Sequence, residues 1–307
     1  MTTGDLFTGW QEEEPPRSID PGRRLWIGTS GYSFADWVGP FYPPGTRSGD
    51  FLSYYARHFD AVEVNSSYYH VPSPRVIEIM ERKTPPGFRF TVKMNQAMTH
   101  ERSLDRSLVR DFLAALEPLK AAGKYDGLLA QFPWGFKRSP QAESHLAAIR
   151  DALPAEPIFV EFRHASWATP GVEDLLRRER LGFCAVDEPA LDGLMPPVAM
   201  LTTEDAYVRF HGRNAANWWG RGAPAGGAGA GSTRPEPGDE AGRDRGSRDR
   251  YDWDYAAGEL REWIGRVREL AERARRTYLF FNNCHAGQAA RSAKLMKELL
   301  RQQNLPA

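Results

Sequence analysis

Apolar residues along this chain fall into short runs, each followed by a longer stretch with helical spacing. Eight of the runs read as strands: Leu25–Thr29, Ala61–Asn65, Phe88–Lys93, Gly127–Gln131, Ile158–Phe162, Phe183–Asp187, Tyr207–His211 and Tyr278–Asn282. Between them apolar residues recur at helical intervals, as in Phe51, Leu52, Tyr55 and Phe59, or Leu260, Trp263, Ile264, Val267 and Leu270. That spacing gathers them on one helix face. Ser73-Pro74, Ser139-Pro140 and Thr169-Pro170 each set a capping hydroxyl before a proline, whose fixed φ suits the first helical position. The connection from Asp187 to Tyr207 carries Pro189, Pro196 and Pro197, and leaves room only for a short helix.

Strands alternating with helices imply a parallel sheet, and eight strands are what closes a barrel. The expected fold is therefore α/β, a single (β/α)8 TIM-like barrel over residues 24–303. The alternative is an open doubly wound sheet, but no G-x-G-x-x-G fingerprint follows the first run. Two stretches escape the pattern. Residues 1–23 are polar, without a basic start or an apolar run, and read as a mobile N-terminal tail rather than a signal peptide. Residues 220–250 contain nine glycines and no aromatic side chain. They read as a disordered low-complexity insertion after the seventh strand.

Composition narrows the field. Forty basic and forty acidic residues give a formal net charge of zero, so there is no global attraction to nucleic acid or to an anionic membrane. No run approaches the roughly 18 apolar residues of a membrane span. Two cysteines, Cys184 and Cys284, imply no disulfide framework and suit a reducing, cytoplasmic setting.

Candidate chemistry follows from strand alternation. Val62 and Val64 share one face of the second strand while Glu63 and Asn65 share the other. Lys93 shares a face with Thr91, Glu161 with Arg163, Asp187 with Ala185, and Arg209 with His211. Where the opposite face is apolar it suits the helix layer. The polar members then converge at the C-terminal ends of the strands, where barrel active sites lie. Glu63, Lys93, Glu161, Asp187 and His211 are the candidate catalytic residues. Asn65, Tyr69, His100, Gln131, Arg163, His164, Trp167, Arg209 and Asn282 are candidates for holding substrate. The histidines beyond strand ends, together with these carboxylates, make a divalent metal conceivable, although no tight H-x-x-x-H spacing occurs. A ring of mutually satisfied ion pairs predicts the same pattern. If the ring serves a ligand, neutralising Glu161 or Asp187 should cost little stability. If it is structural, the cost should be large.

Several stretches resemble the YecE-like family (domain of unknown function 72). They are Ile27-Gly28-Thr29-Ser30-Gly31-Tyr32, Val62-Glu63-Val64-Asn65-Ser66-Ser67-Tyr68-Tyr69, Thr91-Val92-Lys93, Gln131-Phe132-Pro133, Val160-Glu161-Phe162-Arg163-His164, Val208-Arg209-Phe210-His211-Gly212-Arg213 and Phe280-Phe281-Asn282-Asn283. The resemblance spans about residues 25 to 300 in order. It implies a TIM-like barrel and carries over neither a reaction nor a catalytic residue. Three functions stay open. The leading one is an enzyme hydrolysing a phosphoester or phosphodiester, with Lys93, Arg163 and Arg209 on the phosphate and Glu161 or Asp187 as base, directly or through a metal-bound water. Another is isomerase- or aldolase-type sugar chemistry, with Lys93 as nucleophile. The third is a non-catalytic module for a nucleotide or single-stranded nucleic-acid fragment, which the neutral net charge disfavours.

Overall fold

The computed structural model describes residues 25–219 and 249–305. The N-terminal tail, and the expected insertion except Asp249 and Arg250, lie outside the described residues. Eight parallel strands close into a barrel in sequence order. They are β1 (Leu25–Ser30), β2 (Ala61–Val64), β3 (Arg89–Lys93), β4 (Tyr125–Gln131), β5 (Ile158–Glu161), β6 (Gly182–Asp187), β7 (Asp205–Phe210) and β8 (Arg276–Phe281). Each lies within three residues of the apolar run that predicted it.

The surrounding helices are α1 (Phe51–Tyr55), α2 (Pro74–Arg82), α3 (Gln96–Thr99), α4 (Arg106–Ala121), α5 (Pro140–Ala152), α6 (Val172–Arg178), α7 (Ala257–Arg273) and α8 (Gln288–Gln302). Ser73 and Ser139 cap α2 and α5 as expected, each accepting from a backbone N–H three residues on, with proline at the first turn. Thr169 does not cap α6. Its hydroxyl donates to the Ser166 carbonyl, and the helix starts from Gly171 in a left-handed conformation. The β6–β7 connection, residues 188–204, forms no helix at all, so the prolines there exclude even the short one expected.

Register places the inward residues. In a parallel pair, partnered residues share a face, so Ser30 with Glu63, Gln131 with Glu161, and Val186 with Arg209 point the same way. The interior then stacks in three layers. At the N-terminal end, Asp126 takes Arg276 and the Tyr278 hydroxyl across the barrel. Above them sit Trp26, Phe159, Tyr207, Tyr278 and Phe280, ring against ring. The uppermost layer is ionic and is described below.

β4 reaches both ionic layers only because it is bulged. The pairing of β3 with β4 slips between Phe90 and Thr91, opposite Asp126 and Gly127. Gly127 takes φ +134°, and a Cβ there would lie 2.8 Å from the Pro157 carbonyl oxygen. The bulge therefore lets Asp126 and Gln131, of opposite parity, both face inward. Gly127→Ala should lower the unfolding free energy by more than about 1 kcal/mol in urea titrations, since alanine at positive φ is strained. Gly258→Ala, in an exposed helical position with open space around it, should be neutral or stabilising. Equal effects of the two would contradict the bulge.

Candidate active site

Arg209 anchors the upper layer. It is fully buried, and its Nη1 donates to Glu161 Oε2 at 2.6 Å while its Nη2 donates to Glu63 Oε1 at 2.7 Å and to Ser30 Oγ at 3.3 Å. The second Glu63 oxygen accepts from the Tyr207 hydroxyl at 2.7 Å, and that hydroxyl meets Thr91 Oγ1 at 2.8 Å. Glu161 is more heavily loaded. Its Oε1 lies 2.6 Å from Arg163 Nε and 3.2 Å from His211 Nε2. Burial alone would raise this carboxyl, but Arg163, Arg209 and His211 outweigh it and hold the group well below the usual carboxylate range. Burial, followed by Arg163, pushes His211 down to about 3, so the ring is neutral at pH 7. Its Nδ1 then accepts from Asn282 Nδ2 at 3.1 Å, which leaves the proton on Nε2, toward Glu161.

Lys93 closes the layer from β3. Its Nζ sits 4.3 Å from the centre of the Tyr68 ring, and the residue is 1% exposed. Burial first, then Arg209, lowers its amine well below the ordinary value despite Glu161 and Glu63. His100 packs edge-on against Tyr68 and is also driven to about 3, by burial and then by Lys93 and Arg163. Gln131 shares its inward face with Glu161, and Asn65 follows directly on β2. The side-chain oxygen of each is buried without a hydrogen-bond partner among the described residues. Tyr69 stands edge-on to Tyr68 at the rim.

Three sequence candidates lie elsewhere. Asp187 pairs in register with Phe210 and so faces the helices. It accepts from Tyr255 Oη and Trp263 Nε1, each at 2.5 Å, and from Arg213 at 2.6 Å, tying β6 to α7 and to the loop before it. Both faces of Gly182–Asp187 are apolar, so alternation carried no signal about its direction. Trp167 stacks on Phe162 at 4.0 Å outside the strand wall, with Nε1 bonded to the Phe136 carbonyl. His164 caps the turn at Ala165–Trp167 through Nδ1 and leans on Trp134.

One residue was overlooked. Glu188, just past β6, is buried between Arg163 Nη1 at 3.2 Å and the Met195 backbone N–H at 2.9 Å. Burial pushes its carboxyl up to about 8 in spite of Arg163. Its position one residue beyond a strand end was the available signal. Among the described residues no group of three or more His, Cys, Asp or Glu is placed to hold a metal ion. The Glu63 and Glu161 oxygens are already engaged by Arg209, Arg163 and Tyr207. No helix among the described residues is long and apolar enough to cross a membrane.

The fold and this polar mouth define a TIM-type barrel with an ion-paired floor at its C-terminal end. The model of the family described as "Protein of unknown function DUF72" matches residues 26–307, and the chain belongs to that family. It is 30% identical over 288 residues to the UPF0759 protein YunF of Bacillus subtilis, covering 90% of this chain and 94% of that one. It is 31% identical over 171 residues to the UPF0759 protein YecE of Escherichia coli, covering 55% of this chain and 59% of that one. A crystal structure of a DUF72 family protein from Thermotoga maritima superposes with TM-score 0.76 at 37% identity, covering 91% of this chain and all of that one.

Because Glu161 has buried cationic partners on both oxygens, Glu161→Gln strands them. It should cost roughly 3–5 kcal/mol in denaturant melts, where a ligand-dedicated carboxylate would cost little. The buried neutral His211 makes a separate pH prediction. Its folded value lies below its unfolded one, so its contribution to stability is full above about pH 6.5 and is lost as the unfolded chain takes up the proton on acidification. His211→Asn should flatten the loss of unfolding free energy between pH 7 and 5 by about 2 kcal/mol. An unchanged slope would mean that His211 is charged in the native state.

Proposed function

We propose that the mouth is the active site of an enzyme acting on a carbonyl-bearing, sugar-like substrate, with Lys93 as nucleophile and Glu188 as proton donor. One observation carries this reading: Lys93 is a buried amine at the strand C-termini, with its ammonium form disfavoured by burial and by Arg209. A lysine desolvated beside another cation is a nucleophile at neutral pH. Glu188 complements it, since a carboxyl raised to about 8 is still an acid at pH 7. Environments that push two titratable groups in opposite directions divide the roles of acid and base.

The chemistry balances. The neutral Lys93 amine attacks the carbonyl carbon, the nitrogen loses its protons as the C=N bond forms, and the carbonyl oxygen leaves as water after protonation. Glu188 supplies a proton to that oxygen and recovers one from the nitrogen. Gln131 and Asn65 offer to substrate hydroxyls the side-chain oxygens that have no partner among the described residues. The hydrolytic alternative is weaker on this geometry. Arg209 is occupied by two carboxylates, Glu161 is too weak a base, and Asp187 faces the helices.

Borohydride reduction after incubation with glyceraldehyde tests this reading, with the adduct mapped by mass spectrometry. The expected result is a reduced adduct on Lys93 at pH 7 that disappears in Lys93→Met. Adducts confined to other lysines would exclude imine chemistry at this site.

A further inference from the structure

In the loop between β7 and α7, two buried donors have no acceptor among the described residues. Arg250 is 5% exposed and Trp218 is 1% exposed. Arg250 Nε donates to the Trp218 carbonyl at 2.6 Å, and its guanidinium lies over the Trp218 and Tyr251 rings at 5.7 and 5.8 Å. Yet Arg250 Nη1 has no hydrogen-bond partner among the described residues, and neither has Trp218 Nε1. A buried donor that has left water without gaining an acceptor is a loss, and a cationic donor more so. Native structures rarely leave such groups idle without a reason.

The cluster adjoins the mouth. The Tyr251 ring stands 6.2 Å from His211. Burial, and then the like charge of Arg163 against the aid of Tyr251, disfavours the Arg250 cation. Glu188 lies in the same field, but it is largely protonated at pH 7 and offsets little of this charge. Glu161 answers the Arg163 charge, so the cation in want of an anion here is Arg250.

We propose that Arg250 Nη1 and Trp218 Nε1 form a subsite for the phosphate-monoester group of the substrate. A guanidinium presents paired N–H donors that fit phosphate oxygens, and aromatic walls exclude competing water. Loops following the seventh and eighth strands are a recurrent place for phosphate on a barrel, and Trp218 and Arg250 both belong to the loop after β7. The inference rests on the mouth being an active site and adds the substrate class, a phosphorylated carbonyl compound. It returns a phosphate to this end of the barrel, with Arg250 in the place that the sequence assigned to Arg209.

Calorimetric titration of the full chain with inorganic phosphate at low ionic strength tests it. The wild type should bind saturably. Arg250→Met should weaken binding about ten-fold or more, as loss of a charge-assisted donor requires. Trp218→Phe, which keeps the ring and removes the N–H, should weaken it several-fold, and this comparison stands if Arg250→Met fails to fold. Absence of binding at millimolar phosphate, or equal affinity in wild type and either loop variant, overturns the subsite. Phosphate binding without imine trapping would refute the role of Lys93 and leave the subsite standing. Trapping without phosphate binding would do the reverse.

Discussion

The Arg209 guanidinium, buried away from solvent, requires anions at both ends, and the mouth of this barrel is organised around that requirement. Glu63 and Glu161 meet it from β2 and β5, on either side of the lumen. Each carboxylate then needs its own remaining lone pairs satisfied. Tyr207 hydrogen-bonds Glu63, while Arg163 and His211 lie against Glu161 as close charge contacts. Arg163 in turn holds Glu188, and Asn282 holds His211. One buried charge thus fixes a chain of side chains drawn from five strand ends and the loops beyond them.

This gives the mouth two physical characters. Its floor is an ion-paired lattice held by hydrogen bonds from Arg209 and by close charge contacts at Glu161 Oε1 that are not aligned hydrogen bonds. Around it stand groups whose ionisation the lattice perturbs: Lys93 disfavoured as a cation, His100 neutral and Glu188 largely protonated at pH 7, together with the Gln131 and Asn65 side-chain oxygens, which have no donor among the described residues. The ion-pair and active-site readings of the sequence are therefore not exclusive. The charges at the floor hold one another, and they set the electrostatics of the groups that we propose face a substrate.

The barrel was legible because each strand is a short apolar run separated from the next by helical spacing or turn residues. Where a strand has one polar and one apolar face, as in Val62-Glu63-Val64 or Val208-Arg209-Phe210, direction was legible too. It failed at Asp187, because the small and apolar residues of Gly182–Val186 give both faces the same character, and only the register with β7 separates them. Which charges pair was not legible. The sequence offered Arg209 both as a substrate-holding cation and as a member of an ion-pair ring, and could not name its carboxylate partners, which lie 48 and 146 residues away in sequence. Glu188 and Arg250 were hidden by their settings, one beside the first proline of an irregular connection and the other at the end of a glycine-rich, charge-mixed stretch. Composition gives no account of a single buried side chain at the edge of such a stretch.

The account depends most directly on the coupling between Arg209 and its carboxylates, and a double-mutant cycle of Arg209→Met and Glu63→Gln by equilibrium denaturation measures it. Contacting members of one buried network should be non-additive, with a coupling energy of about 2 kcal/mol or more, so that the double variant is far less damaged than the sum of the singles. Losses that add to within about 0.5 kcal/mol would mean that the two side chains stand independently, and that Arg209 does not organise the mouth.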